Sequence, residues 1–271
     1  MSSSPARRPL RSVISEPAEP FLYRIVWVLG QLLRRTTRQD WRGQQNVPST
    51  GGLVLVANHL SNFDPLALAH FLIWSGRWPR FLAKASLWKV PLVRTVVTRC
   101  GQIPVERNSR DSARGLTQAA AAVRAGKCVV VYPEGTITRD PELWPMAGKT
   151  GAARIALETG APVVPVGQWG AQQVMPGVRP TLPRLLPRPT LRVAAGPPVD
   201  LDDLRGRPLT HDVTREATDR ITAAITALVA ELRGATPPAQ PYQRAGATVP
   251  DPRPTTDSGD HGHQDGPGEN R

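Results

Sequence analysis

The segment Leu53-Val54-Leu55-Val56-Ala57-Asn58-His59-Leu60-Ser61-Asn62-Phe63-Asp64-Pro65 decides how the chain is read. Its first five residues are an unbroken apolar run, short for a helix, and read as a strand buried on both faces. A polar turn follows. Pro65, whose fixed φ suits the first turn of a helix, then opens a helical interval through residue 74. Similar apolar runs at residues 81–83, 128–132, 163–166 and 191–194 read as further short buried strands. Residues 112–124, 150–159 and 213–232 have the length and spacing of helices, with Gly126 and Gly160 as stop signals. Strands alternating with helices predict an α/β fold, a mostly parallel central sheet flanked by helices. Ligands of such sheets gather at the carboxyl ends of the strands, where both His59 and Glu134 fall.

His59 and Asp64 stand five positions apart in the turn beyond the first strand. A neutral imidazole, with a pKa of about 6.5, can take a proton from a hydroxyl at ordinary pH. An ionised carboxylate beside it fixes the tautomer and stabilises the imidazolium that forms. No nucleophilic Ser or Cys is needed if the substrate brings its own hydroxyl. Asp64 directly before Pro65 also reads as a helix N-cap, accepting backbone N–H bonds. The two roles are compatible, because a carboxylate is stabilised at a helix N-terminus.

Further blocks follow in order: Gly101-Gln102-Ile103-Pro104-Val105-Glu106-Arg107, then Val131-Tyr132-Pro133-Glu134-Gly135-Thr136, then Ala161-Pro162-Val163-Val164-Pro165-Val166. With the His59–Asp64 block, this series resembles the glycerolipid acyltransferase family, typified by the bacterial 1-acylglycerol-3-phosphate (lysophosphatidate) acyltransferases. The resemblance covers roughly residues 20 to 200, a single domain in size. It implies that His59 is the general base and Asp64 its partner, that Arg107 meets the acceptor phosphate, and that Glu134, Gly135 and Thr136 help to form the acceptor site. The family commonly continues Pro-Glu-Gly-Thr with Arg-Ser, whereas this chain has Ile137-Thr138-Arg139, with the arginine two positions later. Arg139 and Lys149 are supplementary phosphate ligands on this reading. Gly135 admits a backbone geometry or a close approach that a side chain would block.

The implied reaction moves a fatty acyl group from an acyl thioester to a hydroxyl of lysophosphatidate, a step of phospholipid biosynthesis, without an acyl-enzyme. Glycerol 3-phosphate or another lysophospholipid are alternative acceptors. No cofactor or metal is implied, and acyl-CoA or acyl carrier protein serves as co-substrate. Backbone amides in the turns near Gly101 or Gly135 are candidates to receive the tetrahedral oxyanion. A reading of another class is a non-catalytic basic membrane-binding protein. The intact His59 and Asp64 pair speaks against it.

The net charge of +12 over 271 residues calls for an anionic partner. The basic residues are scattered among Trp and Leu rather than collected in a nucleic-acid motif, so a membrane surface is expected and no nucleic acid. Residues 1–20 read as a flexible basic arm. Residues 21–38 hold an amphipathic stripe from Phe21 to Leu33 with Arg24, Arg34 and Arg35, too short and charged to span a bilayer, which takes about 20 apolar residues. They read either as an interfacial helix or as a helix packed on its own domain. A second candidate membrane surface covers residues 66–97, where Trp74, Trp78 and Trp88 alternate with Arg77, Lys84, Lys89 and Arg94, some of the aromatics belonging to the interior. The acyltransferase domain is placed at 39–233. Residues 234–271 are read as a disordered tail, with three arginines against five acidic residues. The expected location is the cytoplasmic face of the cell membrane, peripheral or monotopic. The two cysteines, Cys100 and Cys128, read as reduced thiols, and His59, His70 and His211 are too scattered for a zinc site.

Overall fold

The computed structural model describes Ile14 and residues 20–106, 112–179 and 181–243. Helix α1 (Pro20–Thr36) leads into β1 (Arg38–Arg42), followed by β2 (Leu53–Ala57), α2 (Asp64–Trp74), β3 (Pro79–Lys84), α3 (Pro91–Arg99) and β4 (Ile103–Val105). Then come α4 (Ser112–Arg124), β5 (Cys128–Val131), α5 (Gly151–Thr159), β6 (Val163–Trp169), the single turn α6 (Ala171–Val174), β7 (Thr190–Ala195) and α7 (His211–Arg233). The strands form one seven-stranded sheet in the order β1-β7-β6-β2-β5-β3-β4. Every pairing is parallel except β6 with β7.

The alternation of side chains across the pleat divides the core into two layers. Val54, Val56, Val129, Val131 and Val163 face α4, α5 and α7 on one side. Leu53, Leu55, Ala57, Val130, Val164 and Val166 face Leu68, Phe71 and Leu72 of α2 on the other. All five residues of β2 are wholly buried, as expected for a central parallel strand covered on both faces.

Two strands and two helices, α3 and the single turn α6, have no counterpart in the sequence reading. β1 is the polar sequence Arg-Gln-Asp-Trp-Arg, and β4 is three residues with a central proline. Both are edge strands, where charge and proline are tolerated because one side of the backbone needs no partner. α3 lies inside the stretch read as a membrane surface. That stretch divides in the fold: Trp74 and Trp78 are interior, whereas Leu87, Val90, Leu92 and Val96 face outward.

α1 buries Leu22 and Leu33 and exposes Trp27, Val28, Leu29 and Leu32. Gly30 lets it approach α2, since a Cβ there would stand 2.4 Å from the Trp74 ring. His70 packs edge-on between the Trp41 and Trp74 rings, and burial, with help from Arg34, lowers its pKa to about 4. No helix among the described residues is long and apolar enough to cross a membrane. After α7 the backbone continues to Gln243, and Tyr242 pairs in a parallel bridge with Met146.

Candidate active site

β2 and β5 run side by side with Val56 opposite Val131. Carrying that register past the strand ends sets His59 against Glu134, and this is how the two sequence blocks meet. The His59 N–H donates to Glu134 Oε1 at 2.9 Å, and the His59 carbonyl accepts the Thr138 N–H at 2.7 Å. The imidazole stacks on the Tyr132 ring with centroids 4.2 Å apart and planes inclined by 15°. One segment, residues 132–138, therefore grips His59 by its ring, its N–H and its carbonyl.

The other side of the ring belongs to Asp64. His59 Nδ1 lies 2.9 Å from Asp64 Oδ2, and the same oxygen accepts the backbone N–H groups of Leu60 and of Ser61, the latter at 2.7 Å. With Asp64 ionised, Nδ1 carries the proton and Nε2 presents its lone pair. Nε2 has no hydrogen-bond partner among the described residues, and the side chain keeps 12% of its surface accessible while Asp64 keeps none. The N-cap reading of Asp64 needs correcting. Asp64 is the first residue of α2, Phe63 precedes it as the cap residue with no side-chain cap, and the carboxylate turns back to the loop instead of forward to its own helix.

Asn58, next to His59, closes the gap between β2 and β6. Its amide accepts the Gln168 N–H at 2.8 Å and donates to the Gln168 carbonyl at 3.1 Å, while Gln168 Nε2 donates to the Asn58 carbonyl at 3.0 Å. Both residues are buried. The pairing fixes the strand end from which His59 projects.

Glu134 is buried and takes a second N–H, that of Met146, on Oε2 at 3.1 Å. Burial raises its pKa to about 8; the two N–H donors oppose this rise and the charge of Asp64 adds to it. Tyr132 is pushed well above the usual phenol range, by burial first and then by Asp64.

Gly135 has φ +68°, and a Cβ there would meet Lys149 Cε at 3.3 Å and Nζ at 3.4 Å. The Lys149 N–H is bonded to the Pro133 carbonyl at 2.9 Å, so an exposed ammonium lies over the turn that holds His59. Thr136 is half-buried in the same turn. Arg139 is exposed, its N–H directed at Met146 Sδ and its guanidinium without a partner among the described residues. Arg107 lies outside the described residues. The fold thus brings together His59, Asp64, Glu134, Gly135 and Lys149. Tyr132, Thr138, Met146, Asn58 and Gln168 also hold the site and had no role in the sequence reading. The position of Tyr132 directly before Pro133-Glu134 was the available signal. Among the described residues, no three His, Cys, Asp or Glu gather where a metal ion could sit.

A base oriented by a buried carboxylate, next to a lysine at the open end of a parallel sheet, suits proton removal from an alcohol whose substrate carries negative charge. A family model described as Acyltransferase matches residues 38–169. Those residues are an acyltransferase-family domain. The acyltransferase domain begins with β1 and ends with β6, and so contains the whole constellation around His59. It is similar to the chloroplastic 1-acyl-sn-glycerol-3-phosphate acyltransferase BAT2 of Brassica napus, 32% identical over 141 residues, which are 51% of this chain and 39% of that protein. The 1-acyl-sn-glycerol-3-phosphate acyltransferase of Borreliella burgdorferi is 32% identical over 126 residues, 46% of this chain and 48% of that one. The chain thus spans about half or less of the length of these relatives. In three dimensions the domain and its flanks resemble the crystal structure of the 1-acyl-sn-glycerophosphate (LPA) acyltransferase PlsC of Thermotoga maritima. The TM-score is 0.59 at 22% identity, with 81% of this chain and 85% of that chain covered, a likeness of fold.

Proposed function

We propose that the protein is an acyltransferase of the 1-acyl-sn-glycerol-3-phosphate type, moving a fatty acyl group from a thioester to the free hydroxyl of lysophosphatidate. The observation that carries this reading is the imidazole fixed through Nδ1 by a wholly buried carboxylate, with Nε2 left open. His59 Nε2 takes the hydroxyl proton as the oxygen bonds to the thioester carbonyl carbon. A tetrahedral oxyanion forms and collapses, the carbon–sulfur bond breaks, and the departing thiolate recovers the proton from the imidazolium. Asp64 keeps the ring in the correct tautomer and offsets its transient charge. The protein itself is never acylated.

Lys149 over the Gly135 turn is suited to the acceptor phosphate, with Arg107 as the principal guanidinium and Arg139 as a supplement. Acyl-CoA or acyl carrier protein supplies the acyl group. The outward apolar face of α1 and the exposed residues of α3 suit a peripheral position on an anionic membrane surface, at its cytoplasmic face.

An acceptor panel tests the reading. Purified protein given an acyl thioester with lysophosphatidate, glycerol 3-phosphate or lysophosphatidylcholine should acylate lysophosphatidate fastest, with phosphatidate identified by mass. Faster transfer to glycerol 3-phosphate, or to the acceptor with the blocked phosphate, would contradict it.

A further inference from the structure

The connection between α6 and β7 carries two leucines almost wholly in solvent, Leu182 at 89% and Leu186 at 87% exposure. Leu185 between them turns inward and packs against a small cluster made of Leu33 from α1, Phe63 and Ala67 from the start of α2, and Val174 and Leu191. The connection is therefore anchored rather than loose. Its outward residues are held out by a fixed inward one. Exposed leucines presented in this way expend burial free energy unless something apolar covers them.

The same segment is tied to two other places. The Arg188 guanidinium donates to the carbonyls of Arg34 and Thr37 at 2.8 and 3.0 Å, joining it to the end of α1. At its start, the Met175 carbonyl accepts the Ser61 hydroxyl at 2.8 Å and the Val178 carbonyl accepts the Asn62 amide at 3.1 Å. Ser61 and Asn62 belong to the turn between His59 and Asp64. The exposed leucines, the exposed face of α1 and the dyad turn are thus parts of one connected body.

Charge selects what covers it. Neither residues 20–39 nor residues 159–199 contain an Asp or Glu, while Arg179, Arg184 and Arg188 lie in the connection and Arg34 and Arg35 at the end of α1. Isolated apolar tips set among arginines, with no acidic residue in either stretch, suit a surface with anionic headgroups above hydrocarbon. A nucleic acid would satisfy the arginines and leave the leucines in water.

We propose that residues 181–188 form, with the outer face of α1, a docking surface for an anionic lipid bilayer, and that it sets the His59 turn at the level from which a lipid acceptor is drawn. The inference rests on the acyltransferase reading above. It assigns lipid contact to a second element and couples that contact to the site through Ser61 and Asn62.

The test uses the full chain and vesicles of equal parts phosphatidylcholine and phosphatidylglycerol. The double variant Leu182→Ser/Leu186→Ser should lose about tenfold or more in vesicle binding, because serine gains no burial free energy on entering the hydrocarbon. Arg184→Gln should lose about fivefold, and only at low salt with anionic vesicles. Both variants should acylate a short-chain, water-soluble lysophosphatidate at the wild-type rate and turn over vesicle-embedded acceptor in proportion to their binding. That split separates a docking role from a folding defect. Wild-type binding and wild-type turnover of embedded acceptor by the double leucine variant would overturn the proposal. So would a wild type that ignores vesicles but binds nucleic acid or polyglutamate. A wild type that turns over neither kind of acceptor would sink the acyltransferase reading instead, whatever the vesicles show.

Discussion

His59 is fixed at its backbone as firmly as at its ring, and the two anchors come from different carboxylates. Asp64 holds Nδ1 and Glu134 holds the peptide N–H. Burial, with a smaller contribution from the charge of Asp64, raises the Glu134 pKa to about 8 and favours its protonated form at neutral pH. The consequence for stability has a definite sign. A carboxyl whose pKa rises on folding from 4.5 to about 8 binds more protons in the folded state, so stability falls as pH climbs through that window and levels off above it. Melting temperature measured from pH 4.5 to 9 should show this decline in the wild type and a flatter profile in Glu134→Gln. Parallel profiles would show that the carboxyl does not titrate in that window. The spacing of His59 and Asp64 foretold their contact because both sit in one short turn. Asn58, Gln168, Tyr132 and Thr138 were not readable as site residues, since each acts through a neighbour that only the strand register supplies. The register is invisible in a list of amino acids.

The segment from Tyr132 to Met146 is the element on which the site depends, and it has almost no regular structure of its own. Side chains hold it instead. Thr138 Oγ1 donates to the Trp144 carbonyl at 2.7 Å, and the Trp144 ring lies under the guanidinium of Arg233, 3.8 Å from its centroid. Arg233 also covers Trp169 at 4.5 Å and donates to the Glu142 carbonyl at 2.9 Å. The last residue of α7 thereby pins the segment to the end of β6. Arg233→Ala should cost roughly 1–3 kcal/mol in denaturant unfolding, the sum of a lost cation–π contact and a lost hydrogen bond. It should also speed amide exchange in residues 134–146; equal exchange and equal stability would show the stack to be idle. The main strands and helices were legible because burial on both faces leaves long apolar runs, as in β2. β1 and β4 were not, because an edge strand can be polar or hold proline without loss. α3 was hidden by its apolar residues, which face outward and so gave a surface reading rather than a helical one.

At the scale of the whole molecule, the sheet delivers His59 and Glu134 to the same end from neighbouring parallel strands, and the Lys149 ammonium stands over the Gly135 turn beside them. The order of the blocks carried this much in advance, because a strand followed by a functional turn repeats in any open parallel sheet. The displaced arginine was legible only as a departure. In the fold Arg139 stands exposed, while Lys149 reaches the Gly135 turn from the start of α5. Acyl transfer by this site requires that His59, oriented through Nδ1 by Asp64, remove the proton of the acceptor hydroxyl. The direct measurement is initial rate of acyl transfer from a thioester to water-soluble lysophosphatidate by the wild type, His59→Ala and Asp64→Asn, each shown to melt as a folded protein. Losses of about 10²-fold or more in the rate for His59→Ala, and a large loss for Asp64→Asn, are the expected result. Undiminished transfer by folded His59→Ala would contradict the account.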